Sequence, residues 1–269
     1  MPADALVDDL LALALEVARA GGDFAYLERP DDLITDTKSS PTDVVTQMDR
    51  ATESLLVTAI LAQRPDDGIL GEEGGERSGT SGVRWVLDPI DGTTNYLYGL
   101  PVWAVSVGVE VDGVVVAGVV EAPALGRRYL ARRGGGAWEE VGSVRRSLGA
   151  AKGQVLAESL VSTGFAYTSE RRARQAEDLR ELAPLVRDIR RLGAASIDLA
   201  WVGAGYVDAF FESGLHAWDV AAGGLIAAEA GAVVSLLPSG APDGEITLAA
   251  APGIHDALRE VLIRSIDPA

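Results

Sequence analysis

Apolar and polar positions alternate along this chain with two different periods. Leu6, Leu10, Leu13, Ala14 and Val17 recur at helical spacing after Asp4, and Gly21-Gly22 closes the pattern, so the first element is expected to be an amphipathic helix used for packing. A polar segment, Thr35–Thr42 with Lys38 and Pro41, precedes a second helical face built from Leu55, Leu56, Ala59 and Ile60. That face stops before Pro65, and Thr46 and Asp49 stand at capping-box spacing at its start. The period then shortens. Ile69-Leu70 runs into Gly71-Glu72-Glu73-Gly74-Gly75, and Trp85-Val86-Leu87 runs into Asp88. Val102–Val111 and Val114–Val120 flank Asp112-Gly113, a strong hairpin signal, and Tyr129–Ala131 adds a strand before Gly134-Gly135-Gly136. That glycine run lacks the Lys-Ser/Thr of a phosphate-binding P-loop and reads as a turn. The first half is expected to form a sheet of antiparallel character.

Beyond Gly142 the rhythm changes to alternating helix and strand, which divides the chain into 1–142 and 143–269. Leu156–Val161 reads as a strand, Glu170–Arg190 as a charged helix, Gly193–Val202 as a small-residue helix, and Tyr206–Phe211 as a strand leading to Glu212. Asp219 stands as the N-cap of a buried helix that ends at Gly231. Val233–Leu236, Ile246–Ala250 and a last helix, Ile254–Ser265 with His255 on its surface, complete an α/β (α+β) chain with a mixed second sheet.

Composition narrows the function. At 269 residues the chain can bury a full core, as one large domain or two closely joined ones. Lys plus Arg number 23 against 40 for Asp plus Glu, and the formal charge of −17 opposes direct binding to nucleic acid or an anionic membrane. Cysteine is absent, which excludes disulfides and thiolate metal sites. The acidic N-terminus, with no basic region before its apolar residues, and the lack of a long apolar stretch predict a cytoplasmic protein.

The candidate chemistry gathers in Arg84–Pro101. A short apolar strand ends at Asp88, Pro89 interrupts the ladder, and Asp91-Gly92 turns the chain into Thr93, Thr94 and Asn95, types that suit a helix start or an anion-binding turn. Two carboxylates and the Ile90 carbonyl in one corner suit Mg²⁺ together with phosphate. An ordinary surface turn explains the same residues. Glu72-Glu73 reads equally as a solvated loop, although two acid-ended strands as neighbours would bring Glu72 to Asp88. Asp49 and Asp219 each have a capping explanation.

Taken together, GEE at Gly71–Glu73, WVLDPIDGTTNY at Trp85–Tyr96 and WDVAAG at Trp218–Gly223 resemble the inositol monophosphatase family, in its bacterial, actinobacterial-type branch. The resemblance runs from about Lys38 to Gly231 and implies a layered α-β-α-β-α sandwich with the site between the halves. It implies that Glu72, Asp88 and the Ile90 carbonyl hold one Mg²⁺, that Asp88, Asp91 and Asp219 hold a second, and that Glu72 helps a weaker third. Asp49 would orient the Thr93 hydroxyl, which with Glu72 positions a metal-activated water, while the Gly92 and Thr93 amides receive the phosphoryl oxygens. Glu212 would accept hydrogen bonds from a polyol, Gly193, Ala194 and Ala195 would form a close-approach segment, and Arg190 would supply positive charge near the substrate. Ala194 departs from the Ser or Thr often found there, and His216 falls at a variable position. The resemblance further implies a lithium-sensitive homodimeric hydrolase of myo-inositol 1-phosphate. Histidinol phosphate, fructose 1,6-bisphosphate and 3′-phosphoadenosine 5′-phosphate are alternative substrates, and a partner role in transcription complexes is the non-enzymatic alternative.

Overall fold

The computed structural model describes residues 4–38, 40–153, 155–239 and 244–266, so the outermost residues of both expected halves lie outside the described chain. In chain order the elements are α1 (Asp4–Leu27), β1 (Thr35–Thr37), β2 (Val44–Thr46), α2 (Gln47–Gln63), β3 (Gly68–Gly71), β4 (Gly75–Arg77), β5 (Val83–Asp91) and α3 (Thr93–Leu97). There follow β6 (Ala104–Val111), β7 (Val114–Ala122), β8 (Arg127–Arg132), β9 (Gly136–Val141), β10 (Val144–Ser147), β11 (Leu160–Thr163), α4 (Ser169–Leu182) and β12 (Asp188–Arg190). The chain closes with α5 (Ala195–Ala204), β13 (Ala209–Ser213), α6 (Ala217–Glu229), β14 (Val233–Leu237), β15 (Ile246–Ala250) and α7 (His255–Ile266).

Five layers result. Helices α1 and α2 cover one face of a sheet ordered β10-β9-β8-β7-β6-β5-β3-β4, and α5 and α6 cover its other face. The same two helices lie against a second sheet, β12-β11-β13-β15-β14, whose far side carries α4 and α7. This is the expected α-β-α-β-α sandwich. The outer core of the first sheet joins Leu10, Val17, Leu56 and Ile60 to Trp85, Leu87 and Val107, while Ala-rich α5 and α6 allow the two sheets to approach through a thin middle layer. The first sheet is antiparallel apart from β3, which runs parallel to β5. Since β10 still belongs to it, the change of sheet falls after Ser147.

Several local expectations change in the tertiary setting. Gly21-Gly22 does not end α1, which continues to Leu27; both glycines are buried, and a Cβ would sit 2.8 Å from Leu56 Cδ2 at Gly21 and 2.6 Å from Glu121 Cγ at Gly22. They serve close packing rather than termination. The helix expected over Glu170–Arg190 stops at Leu182, where Pro184 forces a 3₁₀ turn before β12. Leu156–Glu158 is a 3₁₀ turn, with the strand beginning at Leu160. His255 is buried, with Nε2 2.9 Å from Ser235 Oγ, because β14 packs beneath the start of α7. The Asp112-Gly113 hairpin forms as expected, with both residues at positive φ.

A buried carboxylate fastens the β3 end of the first sheet. Asp67 accepts hydrogen bonds from Arg64 Nε at 2.8 Å, Arg64 Nη2 at 3.1 Å, Ser81 Oγ at 2.6 Å and Trp85 Nε1 at 2.9 Å. Burial alone would raise its pKa, but Arg64, Ser81 and Trp85 outweigh burial and hold it below the ordinary value. A depressed carboxylate stabilises the fold at neutral pH and loses that contribution as pH falls through its folded pKa. Asp67→Asn, which sets an amide against four donors, is expected to cost about 2–3 kcal/mol at pH 7 in urea unfolding. The deficit relative to the unsubstituted protein should shrink below about pH 4; a pH-independent deficit would mean that the ionised carboxylate is not the source.

Candidate active site

The site lies at the seam between the two sheets. Strand β5 delivers the first acids. Its ladder with β6 runs regularly to Asp88 and resumes at Asp91, so Pro89 and Ile90 occupy an irregularity where the missing N–H costs no sheet bond. Asp88 Oδ1 accepts the Ile90 N–H at 3.1 Å, and Gly92, at φ 89°, turns the chain into α3. Strand β3 pairs with β5 in parallel, Gly71 opposite Leu87, and the Glu72 N–H reaches the Leu87 carbonyl at 3.2 Å. The two acid-ended strands are therefore neighbours. From the other half, α6 begins at Ala217 with Asp219 in its first turn, where Oδ2 accepts the His216 N–H at 2.6 Å. His216, not Asp219, occupies the cap position, and the aspartate caps from within the helix.

Oxygens of Asp88, Asp91 and Asp219 come within 4.8 Å of one another. Glu72 lines the same pocket but stands outside this trio, with Oε1 2.8 Å from Lys38 Nζ; Lys38 also pairs with Glu73. Burial followed by the neighbouring carboxylates pushes Asp88 and Asp219 well above the usual range. Asp91 rises to about 6 through burial, restrained by the Ser196 hydroxyl and amide. Burial would depress Lys38, but Glu72 and Glu73 outweigh it and keep the ammonium charged. The trio has an excess of hard oxygen donors at separations comparable with twice a magnesium–oxygen distance of ~2.1 Å, so its residues fit a hard divalent cation.

Asp49 and Thr93 form a second pair beside the acids. Asp49 Oδ2 accepts the Thr46 N–H at 2.8 Å and the Thr46 hydroxyl at 2.6 Å, completing the capping box of α2, while Oδ1 accepts from Thr93 Oγ1 at 3.0 Å. The same hydroxyl lies 3.0 Å from the Ile90 carbonyl. Its one proton engages these acceptors, which leaves its lone pairs free to accept a hydrogen bond from a third group. Burial lifts Asp49 to about 6, against the Thr46 and Thr93 hydrogen bonds.

Glu212, Gly193 and Ala195 line the pocket, and burial raises Glu212 to about 7, partly offset by Arg191. Ala194 is buried against the middle-layer core, where Gly92 meets its Cβ closely. Arg190 does not reach the site: it is exposed and pairs with Asp188 at 2.6 Å, whereas Arg191 lines the pocket. Arg190 continues β12 beside Ser162, and the following residue turns with the chain toward Gly193. Several contacts of the site carry no local signal in sequence. Ser196 donates to Asp91 through both its amide, at 2.7 Å, and its hydroxyl, and the Ala195 amide does so at 3.2 Å. Asn95 Nδ2 bridges the carbonyls of Val102 and Leu192, at 2.6 and 2.8 Å, and Ser106 Oγ holds the Trp218 carbonyl at 3.2 Å. A Cβ on Gly164 would overlap the Glu212 carboxylate.

An acid trio at the seam of a five-layer α/β sandwich, beside the start of the short helix α3, defines the chain as an α/β protein with a candidate site for a hard divalent cation. The comparisons with known proteins carry this further: the chain belongs to the inositol monophosphatase family, whose profile matches residues 6–267. It is 48% identical over 236 residues to an inositol-1-monophosphatase of Mycobacterium leprae, covering 84% of this chain and 80% of that one. It is 39% identical over 232 residues to a protein named Nus factor SuhB in Pasteurella multocida, with 85% of each covered. The solved structure of Mycobacterium tuberculosis SuhB superposes with a TM-score of 0.82 at 41% identity, covering 96% of this chain and 97% of that one.

Removing one of the crowded charges separates stability from cation binding. Asp88→Asn retains an oxygen for the Ile90 amide, so the metal-free protein is expected to melt higher, by about 1–2 kcal/mol of added stability. The rise in melting temperature on adding magnesium chloride should shrink at the same time. A variant that melts lower without metal and keeps the full metal-induced rise would contradict a cation site here.

Proposed function

We propose that the chain is a Mg²⁺-dependent phosphomonoesterase that hydrolyses myo-inositol 1-phosphate and related polyol or sugar monophosphates. The observation that carries this reading is the convergence of the Asp88–Asp91–Asp219 trio, the Asp49–Thr93 pair and Glu212 on one seam. The similarity to a relative named inositol-1-monophosphatase supports the substrate. In this reading Asp88, Asp91, Asp219, Glu72 and the Ile90 carbonyl hold two or three magnesium ions. Bound magnesium supplies a water of lowered pKa and charge neutralisation at the phosphoryl oxygens.

The chain's own residues do the rest. Thr93 Oγ1 passes its own proton to Asp49 as it takes one from the attacking water, Glu72 orients that water from the β3 side, and the departing alkoxide takes its proton from a second water. The proton thus has a path toward Asp49, a carboxyl whose pKa of about 6 suits it to receive one near neutral pH. The Gly92 and Thr93 amides at the start of α3 receive phosphoryl oxygens, so the reaction asks chiefly for positioning and charge stabilisation, without a protein nucleophile. Glu212 accepts hydrogen bonds from the polyol, Gly193 and Ala195 let the substrate approach the backbone above the buried Ala194, and Arg191 takes the role expected of Arg190. We further assign lithium sensitivity, a homodimer and a cytoplasmic setting. Among the described residues no helix is long and apolar enough to cross a membrane. A Nus-factor role would call for direct contact with RNA or its complexes, which the charge of −17 disfavours.

Released phosphate from a panel of esters, with Mg²⁺ and with or without lithium, tests the assignment. Inositol 1-phosphate should rank among the best substrates, and Asp91→Asn should lose about a thousand-fold in turnover, in keeping with the several kcal/mol supplied by a metal clamp. Dominance of histidinol phosphate would overturn the substrate and keep the chemistry. Glu212→Ala should reduce kcat/KM for inositol 1-phosphate about ten-fold more than for an aryl phosphate, the size of a lost hydrogen bond to a charged group; equal losses would remove Glu212 from substrate selection.

A further inference from the structure

The turn that carries Glu72 is folded around a carboxylate outside every motif described above. Glu53 sits on α2, only 5% exposed. Its Oε2 accepts the Glu73 N–H at 2.9 Å, and its Oε1 accepts the Gly74 N–H at 2.6 Å. The glycines on either side of the acid pair make room for it. A Cβ on Gly71 would lie 2.5 Å from Glu53 Oε2, and one on Gly74 would lie 2.6 Å from Oε1, closer than a real side chain tolerates. On its other side the turn is tied to β5 through the Glu72 N–H and the Leu87 carbonyl, at 3.2 Å. The backbone at residues 72–74 is therefore held from two directions, by α2 through Glu53 and by the sheet through Leu87.

This arrangement has a direction. The Glu72 side chain meets Lys38, a long and adaptable partner, so its place relative to Asp88 is fixed by the backbone beneath it. A carboxylate that accepts two amide N–H groups is a stiffer anchor than the Lys38 pair. We infer that Glu53 is a positioning residue for the cation site, setting Glu72 against Asp88 and thereby the affinity for a divalent ion. The inference rests on the cation reading of the site. Glu53 touches neither the ion nor the substrate; it acts through Glu72.

Glu53→Gln keeps the volume but leaves one oxygen for two amides and sets its NH₂ against the second. The measurement is Mg²⁺ binding to the metal-free protein by calorimetry, for the unsubstituted chain, E53Q, E72Q and E53Q/E72Q, alongside thermal unfolding without metal. E53Q is expected to bind Mg²⁺ about ten-fold more weakly, the usual loss when a group supporting a ligand is removed. E53Q/E72Q should bind no more weakly than E72Q, since Glu53 works through Glu72. Unchanged affinity in E53Q, or losses that add in the double variant, would overturn the inference. Gly74→Ala, which displaces the same carboxylate from the turn side without altering α2, should reproduce both results. It decides the matter in the same way if E53Q does not fold. Failure of the unsubstituted protein to bind Mg²⁺ would instead refute the cation reading itself.

Discussion

Three carboxylates with oxygens within 4.8 Å of one another, two of them almost wholly buried, repel and are starved of water at the same time. The rest of the molecule can be understood as the means of keeping them there. Part of the compensation is backbone. Asp49 caps α2, Asp91 accepts the first amides of α5 across the seam, and Asp219 accepts an amide at the start of α6. Helix N-termini thus converge on the acids, and each contributes roughly 0.3–1 kcal/mol to a nearby anion. That is well short of the several kcal/mol that burial of each unpaired charge costs, so the fold leaves an unmet demand for positive charge where a hard cation would sit.

The demand can be localised because the surrounding contacts are short. The Ala-rich middle layer brings the sheets close, and Gly92 lies against Ala194 and the Gly193 carbonyl with no space for a side chain. Asn95 ties α3 to Leu192, and Ser106 ties β6 to Trp218, one residue before Asp219. Each acid is consequently fixed by a ladder or a helix start rather than by a free loop. In the proposed reading the Asp49–Thr93 pair that would activate water belongs to the first half and Glu212 to the second, so chemistry and alcohol selection would be divided across the seam.

The legible part of the site was whatever local sequence could encode: a strand ending in acid, proline at the break, glycine at the turn and capping-box spacing at Thr46–Asp49. Two acid-ended strands raised the pairing of β3 with β5 only as a condition, which the parallel ladder between them meets. What escaped was set by tertiary contact. Gly21-Gly22 looks like a helix stop until Leu56 and Glu121 are packed against it, and the charged periodicity of Glu170–Arg190 runs on past Pro184, where the helix has already ended. Ser196, Ser106 and Gly164 act over long sequence separations, so nothing beside them announces a role, whereas Asn95 is legible as a helix-start type and only its reach to Leu192 is not. Arg191 was missed by one residue, since an exposed strand end gives no cue as to which of two arginines turns inward. Glu53 alone had a usable signal: it stands four residues after Asp49, hence on the same face of α2, and that face is buried.

The double duty of the acids bears on how a relative's function should be judged. Asp49, Asp91 and Asp219 each satisfy helix amides, so a chain that had abandoned catalysis would still have structural reason to keep them. Asp88 is different. Its one hydrogen bond among the described contacts is to the amide two residues on, which an asparagine could accept equally well. It is nevertheless the most crowded carboxyl, facing Glu72, Asp91, Asp219 and Asp49 together. The fold gives that position no capping role, and in the proposed reading it is the cation that accounts for the carboxylate. In a family whose members carry both enzyme and Nus-factor names, Asp88 is thus the acid of this chain that helix capping does not account for.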